Sequence, residues 1–179
     1  MLRIVLTFLL TGCLMAVSPA EEVSLQKGYK IAKVNVEFLD EQGDETSAFG
    51  DLVEKARYQR KLERSNKYIA IRYHILWRAP STPTPDLAVK LEARGMDKTG
   101  RETTETLTKS YPQKDHFSGW AVLDIRGDAL KNFGKPMAWK ATILRGGQPM
   151  AERKSFTWDN AGSVPEPTAT QEPAAEPTN

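Results

Sequence analysis

The sequence predicts an all-β fold, an antiparallel sandwich of about seven strands with one short charged helix. Three observations support this prediction. Segments in which apolar and polar residues alternate recur along the chain. Turn-forming residues separate these segments at intervals of roughly ten residues, and strands do not alternate regularly with helices. An open β-barrel fits the same strands and is the alternative fold.

The first two predicted strands are the clearest. In the segment from Tyr29 to Phe38, apolar residues alternate with charged or polar ones. From Ile69 to Trp77, one face is β-branched and aromatic and the other is mostly polar, which is typical of a half-buried strand. Three prolines between positions 80 and 85 end this strand, because proline lacks the amide hydrogen that a sheet needs.

The later strands are shorter or less regular. They are predicted at residues 87–94, 102–111, 120–125 and 137–143, followed by a strand that returns from a Gly146-Gly147 hairpin and carries Met150, Phe156 and Trp158. The threonine-rich segment 102–111 is typical of an edge strand. Segment 120–125 is apolar on both faces and is predicted to be central. One helical turn is expected at 127–134.

A different periodicity marks the segment from Ser47 to Lys67. Four apolar residues follow the i, i+3, i+4, i+7 spacing of one helix face, namely Phe49, Leu52, Val53 and Ala56. The rest of the segment is largely charged. We expect a short amphipathic helix that lies across one end of the sandwich.

Both ends of the chain are predicted to lie outside the domain. Residues 1–20 have the features of a secretory signal peptide: a short positive start, an apolar stretch and small residues before a charged segment. Residues 161–179 are rich in Pro, Thr, Ala and Glu, and we expect them to be disordered because they have little apolar surface to bury. Residues 21–160 are assigned to the β-sandwich domain.

Two cleavage positions compete in the signal peptide. A cut between Ala20 and Glu21 uses the whole apolar stretch and is the one we expect, giving a soluble periplasmic or secreted protein. The alternative is a cut before Cys13, because LTGC at positions 10–13 resembles a bacterial lipobox. That cut would leave the chain lipid-anchored to a membrane through Cys13. No transmembrane segment is predicted in the mature chain.

The number and spacing of the predicted strands resemble those of immunoglobulin and fibronectin type III domains. The likeness concerns architecture only, because the cysteine pair of immunoglobulin domains is absent. The single cysteine of the chain, Cys13, lies in the signal peptide. The domain is therefore expected to have no disulfide, no cysteine-type zinc site and no cysteine nucleophile.

The chain offers few groups for catalysis. It has two histidines, His74 and His116, to which no role is assigned, and it lacks the common hydrolase, zinc-protease and phosphate-binding motifs. Asp124 is the best single catalytic candidate, although such an aspartate more often pairs with a lysine or arginine. The acidic loop Asp40–Glu45 lacks the spacing of a calcium-binding loop. No enzyme activity, cofactor or metal site is therefore predicted.

Charge is distributed in blocks, although the formal net charge is only +2, too small to indicate nucleic-acid binding. Residues 37–54 hold seven acids and no base, and residues 55–78 hold eight bases and one acid. These blocks can pair with each other or present a basic face to an anionic partner. The candidate binding residues are Arg57, Arg60, Lys61, Arg64 and Trp158. The other tryptophans, Trp77, Trp120 and Trp139, are predicted to lie in the core.

Taken together, these features predict a secreted, non-enzymatic β-sandwich module that binds or scaffolds a protein or polysaccharide of the cell envelope. The alternative is an envelope carbohydrate-active enzyme that uses carboxylates. The two differ in the site they require. The enzyme needs a deep pocket with two carboxylates within reach of each other, whereas the module needs only surface features.

Overall fold

A computed structural model of the protein describes residues 21–45, 51–81, 86–111 and 117–159. In chain order its elements are β1 (Glu21–Ser24), β2 (Lys30–Leu39), α1 (Leu52–Ser65), β3 (Ala70–Arg78), β4 (Leu87–Met96), β5 (Glu102–Tyr111), β6 (Ser118–Arg126), α2 (Gly127–Phe133), β7 (Lys135–Arg145) and β8 (Gln148–Lys154). The predicted signal peptide and the predicted tail from residue 161 lie outside the described residues. Neither α1 nor α2 has the length and apolar composition needed to cross a membrane.

The strands form two antiparallel sheets, which confirms the predicted sandwich. One sheet has five strands in the order β1-β8-β7-β4-β5, and the other has three in the order β2-β3-β6. Within the described ranges the two sheets are separate hydrogen-bonded units rather than a closed barrel. The more specific likeness to immunoglobulin or fibronectin type III domains stays a prediction.

The core lies between the two sheets and is completed by α2. Its largest fully buried apolar side chains are Trp77, Tyr73, Phe133, Ile31, Ile71, Ile75, Leu91, Ile125, Ile143 and Val89. Full burial of one such side chain stabilises a fold by about 1.5–3 kcal/mol. Trp77 is a core residue as predicted, and Trp139 is half-buried and packs against the core.

Strands β1 and β8 of the five-stranded sheet differ from the prediction. β1 was not predicted, because its four residues, EEVS, are too few and too polar to show an alternation. It pairs with β8 from Glu21 opposite Lys154 to Ser24 opposite Ala151. β8 ends at Lys154, so the prediction that the return strand extends to Phe156 and Trp158 is wrong.

The prediction that segment 120–125 forms a central strand is wrong as well. β3 is the central strand of the smaller sheet, and β6 lies at its edge. The inward face of β6 enters the core through Ala121, Leu123 and Ile125, whereas the ring of Trp120 on the other face is 46% exposed. The second apolar face of β6 is therefore open to solvent and is not buried.

Helix α1 is shorter than predicted and buries a different face. Asp51 begins it by accepting hydrogen bonds from the amides of Val53 and Glu54 at 2.8 and 2.9 Å. Leu52 and Val53 of the predicted apolar stripe are 87% and 57% exposed, and Phe49 lies outside the described residues. The side turned towards the domain instead has Lys55, Tyr58, Gln59 and Leu62, which repeat the same spacing six residues later.

One side chain joins α1 to the free edge of β2. Gln59 Oε1 accepts a hydrogen bond from the Phe38 amide at 2.6 Å, and Gln59 Nε2 donates to the Phe38 carbonyl at 2.9 Å. The same Nε2 donates to the Glu45 carbonyl at 2.6 Å. The Gln59 amide thus takes the place of a neighbouring strand at Phe38, so these backbone groups are paired although β2 is an edge strand.

Helix α2 corresponds to the helical turn predicted at 127–134 and ends beside β4. Gly134 follows it with a φ of +72°, in the left-handed region that favours glycine. The last helical residue, Phe133, is fully buried, and its carbonyl accepts a hydrogen bond from Thr103 Oγ1 at 2.6 Å. This contact fixes α2 against β5 at the same end of the sandwich as the start of β3.

Candidate functional site

The outer face of the three-stranded sheet carries charged side chains on all three of its strands. Side chains on this face form rows across β2, β3 and β6, since paired residues lie opposite each other: Glu37-Arg72-Asp124, Asn35-His74-Val122 and Lys33-Leu76-Trp120. Acid and base therefore alternate along the first row. α1 and the loop before it supply further charges at this end of the sheet.

We call six of these residues the charged cluster: Glu37, Glu45, Lys55, Arg72, His74 and Asp124. Lys55 Nζ lies 2.7 Å from Glu37 Oε1 and 3.6 Å from Glu45 Oε2. His74 Nε2 lies 2.9 Å from Glu45 Oε1 and 3.3 Å from Glu37 Oε2. Contrary to the sequence analysis, which assigned His74 no role, this histidine lies between two carboxylates.

Asp124 is bound tightly by arginine. Arg72 Nε donates to Asp124 Oδ1 at 2.9 Å, and Arg72 Nη2 donates to Oδ2 at 3.0 Å. Arg126 Nη2 also donates to Oδ2. This bidentate geometry is the strong form of an arginine–carboxylate pair, and it agrees with the expectation that Asp124 pairs with a basic residue.

The environment of the charged cluster favours its ionised groups. Burial alone would raise the pKa of Glu45, but its side-chain interactions with Glu37, His74 and Arg72 lower that pKa to about 2. Burial opposes the charge of Lys55, yet the hydrogen bond and the charge of Glu37 raise its pKa above the ordinary value. Both groups are therefore charged over the neutral pH range.

The acidic loop Asp40–Glu45 does not converge on a common point. Asp40 Oδ1 accepts hydrogen bonds from the amides of Gln42 and Asp44, both at 2.9 Å, and so closes the turn. Asp40 Oδ2 accepts from the Tyr58 hydroxyl at 2.5 Å, and this bond lowers the Asp40 pKa. Only Glu45 of this loop reaches the charged cluster.

A second surface is formed where α1, the β4–β5 turn and α2 meet. Three cavities of about 640, 500 and 510 Å³ open there. The first shares Lys98 and Lys131 with the second and Arg64 with the third, whose lining residues all lie on α1, so the three are neighbours. We call this surface the basic end, defined by its eight cations: Arg57, Arg60, Lys61, Arg64, Lys98, Arg101, Lys131 and Lys135.

Most cations of the basic end have no acidic partner. Arg101 pairs with Asp97 at 3.4 Å, and Lys131 pairs with Asp128 at 2.7 Å. Within the part of the chain that the structure describes, the other six are exposed and make no ion pair: Arg57, Arg60, Lys61, Arg64, Lys98 and Lys135. The surface therefore carries a local positive excess that the small net charge of the chain conceals.

Half of the basic end was predicted from the sequence. The four α1 cations were candidates because they follow each other along one segment. The other four come from the β4–β5 turn and from α2 and its end, which are more than thirty residues further along the chain. Only the packing of α1 and α2 at the same end of the sandwich brings the two sets together.

The remaining candidate, Trp158, does not line any of the three cavities of the basic end. It is half-buried on the outer face of the five-stranded sheet. The Arg94 guanidinium lies 4.1 Å from the centre of a Trp158 ring and Lys140 Nζ lies 5.1 Å from it, a cation–π arrangement. Trp120, which was predicted to be core, is the more exposed of these two tryptophans.

Comparison with known proteins adds no relative. No protein-family model matches the chain, and no curated protein and no solved structure shows a significant similarity to it.

Proposed function

We propose that this chain is a secreted, non-enzymatic β-sandwich module that binds an anionic component of the cell envelope, a polysaccharide or an acidic protein, through the basic end. The observation that carries the proposal is the set of six exposed cations that make no ion pair with any residue the structure describes. Clustered like charges repel each other and destabilise the folded chain, and an anionic partner relieves that repulsion.

The shape of the basic end favours an extended partner. Small-molecule sites are usually enclosed, mostly apolar cavities with a few polar groups. The basic end is instead open and charged, and it extends from Arg57 on α1 to Arg101 after the β4–β5 turn. A polymer that carries repeated negative charges can contact several of these cations at once.

The alternative, an envelope carbohydrate-active enzyme, requires two carboxylates that face a substrate, with one able to donate a proton. Both oxygens of Asp124 accept hydrogen bonds from Arg72. Asp97, which borders the largest of the three cavities, accepts hydrogen bonds from its own turn, and its pKa is lowered to about 2. These contacts support binding rather than acid–base catalysis.

Export to the periplasm or the outside of the cell is part of the proposal and rests on the predicted signal peptide. Cleavage after Ala20 releases the module, and lipid anchoring through Cys13 is the alternative. In both cases the domain meets envelope polymers, many of which carry negative charge.

Charge reversal at the basic end tests the proposal, with dextran sulfate as the anionic probe and neutral dextran as the uncharged control. We expect Arg60→Glu/Arg64→Glu to bind dextran sulfate at least tenfold more weakly, since one cation near an anionic surface contributes about 1 kcal/mol. Binding by the unchanged protein should weaken with salt, because the Debye length falls from about 10 Å at 0.1 M to about 3 Å at 1 M.

Lys27→Glu/Lys33→Glu is the matched control, because it changes the net charge equally but alters exposed lysines away from the basic end. We expect this variant to bind dextran sulfate nearly as well as the unchanged protein. Equal losses in both double variants would show that only total charge matters and would contradict a specific basic end. Equal binding to neutral dextran would contradict the proposal as well.

A further inference from the structure

One carboxylate oxygen in the charged cluster has no hydrogen-bond partner. Glu37 Oε2 is buried from solvent and accepts no hydrogen bond. His74 Nε2 lies 3.3 Å from it. A ring nitrogen of histidine carries at most one hydrogen, and Glu45 Oε1 at 2.9 Å is the better acceptor for it. A buried carboxylate oxygen without a partner is costly, so its position requires an explanation.

The three atoms around this point have the spacing of metal ligands. His74 Nε2, a Glu37 oxygen and a Glu45 oxygen all lie within 4.8 Å of one another. In a tetrahedral zinc site with bonds of about 2.0–2.2 Å, neighbouring ligand atoms are about 3.3–3.5 Å apart. The observed separation of 3.3 Å between His74 Nε2 and Glu37 Oε2 lies in this range, and the separation of 2.9 Å between His74 Nε2 and Glu45 Oε1 is about half an ångström shorter.

Lys55 contacts the oxygens of the two glutamates that do not face His74. Outer contacts of a metal site usually hold the ligand side chains in this way. Lys55 Nζ binds Glu37 Oε1, which leaves Glu37 Oε2 directed at His74. Lys55 Nζ also lies 3.6 Å from Glu45 Oε2, whereas Arg72 Nη1 lies 3.2 Å from Glu45 Oε1, the oxygen that faces His74. Basic groups that hydrogen-bond ligand carboxylates orient them for the ion. The positive charges of Lys55 and Arg72 also repel the ion, and we therefore expect micromolar rather than nanomolar affinity.

We propose that Glu37, Glu45 and His74 bind one divalent transition-metal ion, with Zn²⁺ the best match. The imidazole ligand favours zinc over calcium or magnesium, which prefer sites made of oxygen ligands alone. Two carboxylates balance the charge of the ion. With three protein ligands, a fourth position is open to water or to a group of a partner.

Isothermal titration with ZnCl₂ tests this site in the full mature chain, stripped of metal with a chelator and without a histidine tag. We expect one equivalent of Zn²⁺ to bind the unchanged protein. Removal of one metal ligand should weaken Zn²⁺ binding at least tenfold. Tenfold is the lower limit of the roughly 10–100-fold loss that is typical when only an outer contact is removed. Glu45→Gln is the first variant, because Glu45 lies in a loop and its change leaves the strands intact. His74→Ala is the second.

Two variants serve as controls. Glu92→Gln alters a glutamate that is held by two lysines at 3.1 Å on the other sheet, and it should bind Zn²⁺ as the unchanged protein does. His116→Ala alters the only other histidine of the chain and should also bind normally. Circular dichroism confirms that each variant is folded.

Three results would overturn the proposal. The first is an unchanged protein that takes up no Zn²⁺ at millimolar concentration. The second is a Glu45→Gln variant that is folded and binds with unchanged affinity. The third is binding that is lost in His116→Ala, which would place the ion elsewhere. None of these results concerns the basic end, so the binding of dextran sulfate is tested independently.

Discussion

At the scale of single residues, Gly95 and Gly119 have opposite surroundings although both lie in strands. A methyl group added at Gly95 would lie 2.5 Å from the carbonyl oxygen of Phe133 and 3.0 Å from its ring. At Gly119 nothing lies within 4 Å of the same group. Gly95 is therefore required by close packing against α2, whereas Gly119 is not.

We predict that Gly95→Ala lowers the free energy of unfolding by about 1–3 kcal/mol, the usual cost of overpacking a core. Gly119→Ala, the matched control, should change it by less than about 0.5 kcal/mol, as surface substitutions usually do. Urea denaturation followed by tryptophan fluorescence measures both values. If the two variants were equally stable, α2 would not pack as closely on β4 as described.

At the scale of elements, α1 is attached through polar groups as much as through apolar ones. Gln59 makes three hydrogen bonds with the backbone of Phe38 and Glu45. We predict that Gln59→Ala lowers the free energy of unfolding by about 1–3 kcal/mol, since it leaves buried backbone groups unpaired. Arg60→Ala, an exposed neighbour that pairs with no acid among the described residues, should cost less than about 0.5 kcal/mol. Chemical denaturation of the two variants measures both free energies of unfolding. A Gln59→Ala variant as stable as the unchanged protein would mean that water replaces the Gln59 amide.

The turn between β4 and β5 gives a prediction for pH. Asp97 Oδ1 accepts hydrogen bonds from the Thr99 hydroxyl, the Thr99 amide and the Arg101 amide, at 2.6, 2.7 and 2.9 Å. The Thr99 hydroxyl contributes most to the shift of the Asp97 pKa from its ordinary value of 3.8 to about 2. A carboxylate whose pKa is lower in the folded state stabilises the fold above its ordinary pKa.

The contribution of Asp97 is therefore fully present above about pH 4 and is lost as the pH falls towards 2. We expect the Asp97 carboxyl to titrate with a midpoint of about 2 in an NMR titration. Asp97→Asn should reduce the loss of stability over this pH range, because it has no proton to take up. A midpoint near 3.8 would contradict the described turn.

Sequence patterns predicted elements well where burial alone determines side-chain direction. β2, β3, β4 and β5 lie within about two residues of their predicted bounds, because alternate residues of a strand face the core. The face of α1 was predicted wrongly, since Gln59 and Lys55 find partners that a hydrophobicity pattern does not count. The zinc-binding triad proposed here was missed for the same reason: Glu37, Glu45 and His74 are polar residues separated in sequence and joined only by strand register and a loop.

At the scale of the whole molecule, export remains to be tested through the mass of the mature protein. We expect the protein purified from a native host to begin at Glu21 and to contain no cysteine, because cleavage after Ala20 removes Cys13. Intact-mass spectrometry measures this directly. A species that begins at Cys13 and carries three acyl chains would contradict the expected cleavage, and Cys13→Ser would then leave the precursor unprocessed.

The pairing of β1 with β8 has a mechanical consequence. Glu21, the first residue of β1, lies opposite Lys154, the last residue of β8, so the chain enters and leaves the sandwich at neighbouring points. After β8, the amide of Ser155 still bonds to the Trp139 carbonyl of β7. A force applied between the chain ends would therefore peel these strands apart one hydrogen bond at a time, instead of shearing many bonds together. We expect single-molecule stretching to open the domain from this edge at low force.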